Sequence, residues 1–259
     1  MWDNFRDIYR YRALIWALVV RHLSVRYRGS ILGFFWSLLN PLCLMLVYVL
    51  VFTYYIRFNE VDNYTIFLFC GLLPWLWVTS GLLEGCTSIV SSAHLITKSM
   101  FPAQILPTVA VTTSMINFLL SLPLLFIFMF MAHLPLHPTL WLLPLLIAAQ
   151  FLLLLGISLG LSALNVYLRD VQHILGNLLT LLFFLCPILY PSRVVPEQFK
   201  FLVELNPFAI MTVFYHELIL DGVLPGWKET VYLAAFVMLA LLVGSLVFNR
   251  YRESFAEWL

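Results

Sequence analysis

The chain has 259 residues, of which 63% are apolar and only 10% charged, and its mean hydropathy is +0.96. A soluble domain carries about 25% charged residues, so a bilayer, not water, must be the solvent for most of this surface. A formal net charge of +1 offers no basis for a nucleic-acid partner.

In chain order, residues 1–28 come first. A basic start and the apolar run Ala13 to Val20 resemble a signal peptide. The run is only eight residues, however, and Arg21, Arg26 and Arg28 stand where a small-residue cleavage site belongs. On a helical wheel Trp2, Phe5, Tyr9, Ala13, Trp16, Val20, Leu23 and Tyr27 share one face, while Arg6, Arg10, Arg21 and Arg28 share another. An aromatic stripe beside an arginine row predicts a helix lying in the membrane interface. A cytoplasmic helix packing on a partner is the plainer alternative.

Charge gaps then predict six spans. No Asp, Glu, Lys or Arg occurs from Gly29 to Ile56, from Val171 to Ser192 or from Thr230 to Asn249. About 20 apolar residues suffice to cross the hydrocarbon, so each gap holds one crossing. Asn63 to Thr97 holds another, interrupted only by Glu84. The gap from Ser99 to Leu168 holds two, divided by the turn HLPLHP at 133–138.

Ten Lys and Arg residues fall on the side of the N-terminus and four on the other. The positive-inside rule therefore puts both termini in the cytoplasm. The fold expected is an all-α polytopic membrane protein. Its parts are an interface helix at 1–28, a six-span unit at 29–250 and a cytoplasmic tail at 251–259. Within the unit, 191–229 is an outer segment too charged to cross as a plain helix. Its apolar stretch Phe208 to Tyr215, after Asn206-Pro207, suits a short re-entrant or interfacial helix; a surface cap is the alternative.

The motifs of soluble catalysis do not appear in the sequence. It has no GxxxxGK[ST] phosphate loop. The four cysteines lie in apolar spans without CxxC spacing and read as buried hydrophobes. His133 and His137 are separated by Pro135 with no acidic ligand nearby, so no metal site is expected. Glu84 is the one clear ionisable group inside a span, which makes it a candidate functional residue. Either it lines a path, or it is a structural acid satisfied by Ser80, Thr87 or Ser88. Gly29/Gly33, Gly81/Gly85 and Gly156/Gly160 have the GxxxG spacing that permits close helix contact.

Five strings carry a resemblance, in order along the chain. RYRGSILGFFWSLLNP, from Arg26 to Pro41, resembles the start of the first span in ABC-2-type export permeases. LITKSMFPAQILP, from Leu95 to Pro107, is similar to the family's loop between spans two and three. LNVYLRDV, from Leu164 to Val171, is similar to the loop after span four. CPILYP at Cys186 to Pro191 and LNPF at Leu205 to Phe208 resemble the end of span five and the segment beyond it. The family-motif positions are Arg26, Tyr27, Arg28, Ser30, Gly33, Trp36, Pro41, Asn206 and Pro207. The chain departs from the family pattern at His22 and at Ala103 or Gln104.

Within the family the likeness is greatest to permeases of lipid-linked polysaccharides such as O-antigen, capsule or teichoic acid. The resemblance implies a second copy of the chain, two copies of a separate ATPase subunit and a glycan path at the dimer centre. This chain would hold no cofactor, with ATP and magnesium bound by the partner, and would be a transporter subunit of the bacterial inner membrane rather than an enzyme. The exposed handles for the ATPase are His94, Lys98, Phe101, Pro102, Arg169 and Asp170. Aromatic faces suit the C–H faces of sugars, which makes Trp36, Tyr48, Trp75 and Trp77 candidates for the path beside Glu84. Export of a drug or a simple lipid by the same architecture, an intramembrane enzyme and an assembly scaffold are the rival readings.

Overall fold

The computed structural model describes residue 6 and residues 9–57, 61–98 and 101–259. Trp2 and Phe5 of the expected aromatic stripe lie outside them. All regular structure among the described residues is helical. The helices are α1 (Arg12–Tyr27), α2 (Trp36–Val49, continued as a wider π-helix over Leu50–Tyr55), α3 (Tyr64–Ser91), α4 (Ala93–Lys98) and α5 (Ile105–Met131). They are followed by α6 (Leu143–Tyr167, after a 3-10 turn at Pro138–Leu142), α7 (Asp170–Leu185), α8 (Lys200–Glu204), α9 (Pro207–His216), α10 (Trp227–Tyr251) and α11 (Phe255–Trp258).

Among the described residues, five helices are long and apolar enough to cross a membrane: α2 with its continuation, α3, α5, α6 with its 3-10 turn, and α10. The expected fifth span is shorter than the charge gap suggested. α7 has 16 residues, about 24 Å of helix. It stops at Leu185 because Pro187 forces the residue before it out of helical geometry; Cys186 is extended, with ψ 143°.

α3 is the axis of the bundle. It packs against α2, α5, α6, α7 and α9, and most of its length is buried. Its Gly85 admits Ser158 of α6 so closely that a Cβ there would lie 2.4 Å from Ser158 Oγ. Buried Gln150 of α6 donates from Nε2 to the carbonyl of Pro74 at 3.0 Å, tying the two helices in mid-span. A seam as extensive as that between α3 and α5 joins α6 to α10. There Gly156 and Gly244 bring backbones together, and a Cβ on Gly156 would meet Ala240 C and Leu241 N at 2.6 Å. Small residues at a membrane interface serve this purpose, because close approach replaces the hydrophobic drive that lipid does not supply.

The pair Gly29/Gly33 does something else. Both have positive φ, 81° and 49°, and a Cβ added to either would meet no atom within 4 Å. They turn the chain between α1 and α2 and seat no helix.

α1 joins the bundle mainly through residues outside its aromatic stripe, with Leu23 of the stripe packed partly on the same cluster. Ile15 and Val19 are buried against Ile105 and Val109 of α5, whereas Tyr9, Trp16 and Val20 are exposed. Between α7 and α10, the α9 stretch is drawn inward as well. Asn206 caps α9, its Oδ1 accepting from the Phe208 N–H at 3.0 Å, and Pro207 occupies the first turn where no donor is needed. Most of α9 is buried, with Tyr215 wholly covered and edge-on to Phe118 at 6.0 Å.

Candidate functional site

Polar residues are scarce in this bundle, and those near α3 gather around three neighbouring openings. The first, about 360 Å³, lies between α1, the end of α3 and the start of α5, with Arg21, His22, Glu84, Ser88, Ser91 and His94 in its wall. The second, about 470 Å³, runs between α2, α3 and α5. Ser37, Asn40, Thr79, Ser80, Glu84, Ser114, Asn117 and Ser121 line it, with Trp77 and Phe118. Glu84 belongs to both walls. The third, about 340 Å³, lies between α2, α3 and α7 and shares Leu76, Thr79 and Leu83 with the second.

Glu84 is half-buried, and it sits seven residues before the end of α3, about 10 Å along the helix. It therefore lies about halfway between the middle of the span and its α4 end. Gly81 and Gly85 face α6, so Glu84, one position away, is turned toward the grooves. Its three expected hydroxyl neighbours bond back to their own helix. Ser80 Oγ donates to Leu76 O at 2.7 Å, Thr87 Oγ1 to Leu83 O at 3.1 Å and Ser88 Oγ to Gly85 O at 2.7 Å.

The groove hydroxyls behave alike: Ser114 donates to Ala110 O at 3.0 Å and Ser121 to Asn117 O at 2.8 Å. Each proton is thereby used inside the helix while the oxygen lone pairs stay open to the groove. Asn117 Oδ1 and Trp77 Nε1 are buried with no hydrogen-bond partner among the described residues. A ligand rich in hydroxyl groups would find acceptors in this groove.

The four candidate aromatics divide between places. Trp36 is the first residue of α2, its Nε1 donating to Ser30 Oγ at 2.9 Å, and is exposed outside the openings. Trp77 is buried in the second wall, stacked on Phe118 at 5.2 Å and 19°. Tyr48 and Trp75 meet across Phe183 of α7, at 5.7 and 5.9 Å, beside the third opening. The polar members Ser37 and Asn40, and Ser114, Asn117 and Ser121, were not singled out from sequence. Their signal was present: spacings of three and four align each set on one helix face.

The handle residues lie at one end of the bundle. His94 is exposed on α4, whose last residue is Lys98; Phe101 and Pro102 are half-buried just beyond it. Arg169 and Asp170 are exposed at the start of α7. Of the motif positions, Arg26 and Tyr27 end α1, Arg28 is exposed, and Pro41 is buried inside α2.

At the opposite end, a cleft of about 430 Å³ is lined by Ser192, Arg193, Lys200, Glu204, Glu217 and Glu229. Burial, with the nearby carboxylates of Asp221 and Glu229, raises Glu217 to about 7. Burial also lowers His216 to about 4, outweighing its bond to the Phe67 carbonyl. A carbonyl only accepts, so Nε2 is the protonated nitrogen at 3.1 Å from Phe67 O. His137 packs over Gly222, where a Cβ would lie 2.4 Å from its Nδ1.

Comparison with known proteins agrees with this architecture. The family model "ABC-2 type transporter" matches residues 13–219. The chain is 42% identical over 257 residues to an O-antigen export system permease protein of Myxococcus xanthus, covering 97% of each. It is 33% identical over 246 residues to a Klebsiella pneumoniae protein of the same description, covering 94% of each. The polysialic acid transport protein KpsM of Escherichia coli is 24% identical, with 92% of this chain and 93% of that protein covered. A match that spans most of the bundle, joined to full-length similarity above 30%, makes this chain a member of the ABC-2 type transporter family.

Proposed function

We propose that this chain is the membrane subunit of an ATP-driven exporter that carries a lipid-linked polysaccharide outward across the bacterial inner membrane. The observation that carries this reading is the band of hydroxyl, amide and aromatic side chains along α3, in a chain similar end to end to O-antigen export permeases. A sugar polymer needs many weak hydrogen-bond partners and flat apolar faces, and nothing that grips one ring tightly. Back-bonded hydroxyls supply the first, and the rings of Tyr48, Trp75 and Phe183 in the wall of the third opening supply the second.

Membrane crossing by α7 and the buried stretch after it brings the count to six spans, with both termini in the cytoplasm. The exposed stripe of α1 then faces lipid headgroups, while α8 and α9 cover the outer end. A second copy meets the bare faces of α2 and α7, where Leu44, Val47, Ile174, Leu178 and Leu181 are exposed, so that the third opening gives onto the dimer centre. Two ATPase subunits dock at α4, Phe101, Pro102 and the Arg169-Asp170 corner, and supply the ATP and magnesium that this sequence has no loop to bind.

The test is a deletion strain together with the purified complex. Loss of surface glycan with accumulation of the lipid-linked glycan inside the cell, reversed by the gene, is the expected result. Normal surface glycan with a retained drug or simple lipid would assign the subunit to another exporter class.

A further inference from the structure

The chain beyond α10 folds back on the bundle. After Tyr251 it makes one tight turn, Arg252–Ser254, and α11 then lies against α4 and α6. Phe255 is 1% exposed and meets Phe248, also buried, edge-on at 5.5 Å. Tyr167, the last residue of α6, fastens the turn. Its hydroxyl lies 2.7 Å from Ser254 Oγ and 3.2 Å from Tyr251 O, and its ring sits 5.0 Å from Tyr251 and 5.2 Å from Trp258.

Around Phe255 and Phe248 a small apolar cluster forms apart from the main core. It takes in Leu95 and Ile96 of α4, Phe101, and Leu159 and Val166 of α6. A helix of six residues cannot hold itself together in isolation, so α4 is fixed by what its apolar side covers. Part of that cover is the tail.

We propose that residues 252–259 are an internal brace that positions α4, with Phe255 as the positioning residue and Tyr167 as its anchor. A force applied to α4 then reaches the α6–α10 seam as well as α3 and α5. This rests on the reading of α4 to Pro102 as the ATPase-docking loop.

The experiment uses the assembled permease–ATPase complex, with Phe255→Ala, Phe255→Leu, Tyr167→Phe and Phe101→Ala/Pro102→Ala as variants. Phe255→Ala is expected to speed amide exchange in 93–98 about tenfold or more, because a local opening loses its cover. Exchange in α3, co-purification with the ATPase and basal ATP turnover stay at wild-type levels, while glycan-stimulated turnover and export fall about fivefold. Phe255→Leu restores most of both. Tyr167→Phe, which removes only the hydroxyl, moves the same readouts in the same direction by a smaller factor and serves if Phe255→Ala does not insert.

Unchanged exchange in 93–98 overturns the brace whatever the ATPase does. Faster exchange with normal stimulation also overturns it, provided Phe101→Ala/Pro102→Ala uncouples the complex. If neither variant changes stimulation, the docking reading fails instead.

Discussion

Substitution of Gly244 by alanine tests the α6–α10 seam directly. A Cβ at Gly244 would lie 1.8 Å from Gly156 O and 2.8 Å from its carbonyl carbon. Comfortable carbon–oxygen contact is about 3.3 Å, so the two helices must part by roughly 1.5 Å. Overpacking costs about 1–3 kcal/mol where side chains can turn aside; here the obstacle is backbone, so the upper end applies. About 3 kcal/mol corresponds to a melting temperature lower by roughly 6–12 °C for a protein of this size. Two other glycines are internal controls. A Cβ at Gly160 meets only Gly244 Cα, at 3.4 Å, and one at Gly176 meets nothing within 4 Å. Gly160→Ala is expected to be mild. Gly176→Ala gains helix propensity of up to about 1 kcal/mol. Thermal loss of the monodisperse peak in detergent, read by fluorescence-detected size exclusion, ranks the three. Gly244→Ala melting together with Gly160→Ala would refute the close-contact argument.

Glu84→Gln, compared at matched membrane abundance, is expected to lower export several-fold while assembly is kept; wild-type export would rule out a role for its charge. Glu84→Leu is expected to reduce export and also membrane yield, since it removes the polar wall common to two grooves. Glu217 has a folded-state value raised from 4.5 to about 7, so the folded state binds the extra proton and stability falls as pH rises through that window. His216, lowered from 6.5 to about 4, acts oppositely, with stability falling as pH drops below 6.5. Glu217→Gln should therefore leave a melting temperature that rises between about pH 4 and 6.5 and then stays flat; a decline from pH 5 to 7 in that variant would place the titrating group elsewhere. A cysteine at position 98, on a background without the four native cysteines, should resist impermeant label added outside intact cells while one at 228 reacts. Outside labelling at 98 would invert the proposed topology.

Much of the architecture was legible because bilayer solvation acts on composition directly. Charge gaps located the long helices, and Asn206-Pro207 marked the start of α9 through ordinary capping chemistry. The strings around Arg26, Leu95, Leu164 and Cys186 pointed to the family that the full-length comparison identifies. The length of α7 was also written in the sequence, at Pro187, but a charge-free gap of 22 residues concealed it. Counting charges measures what lipid tolerates, and says nothing of where a proline ends the hydrogen-bond ladder.

The grooves depended on the third dimension. GxxxG spacing is identical at Gly29/Gly33, Gly81/Gly85 and Gly156/Gly160, yet the first pair turns the chain, the second admits Ser158 and the third meets another backbone. Trp75 and Trp77 are two residues apart on one helix, about 200° around its axis, and so reach Phe183 and Phe118 on different neighbours. The sequence alone determined that this is an apolar helical bundle with one acidic residue in its second span, because solvation and helix geometry are local. Which side of α3 that residue faces, which hydroxyls gather beside it and what holds α4 in place were decided only by packing, because each depends on a helix distant along the chain.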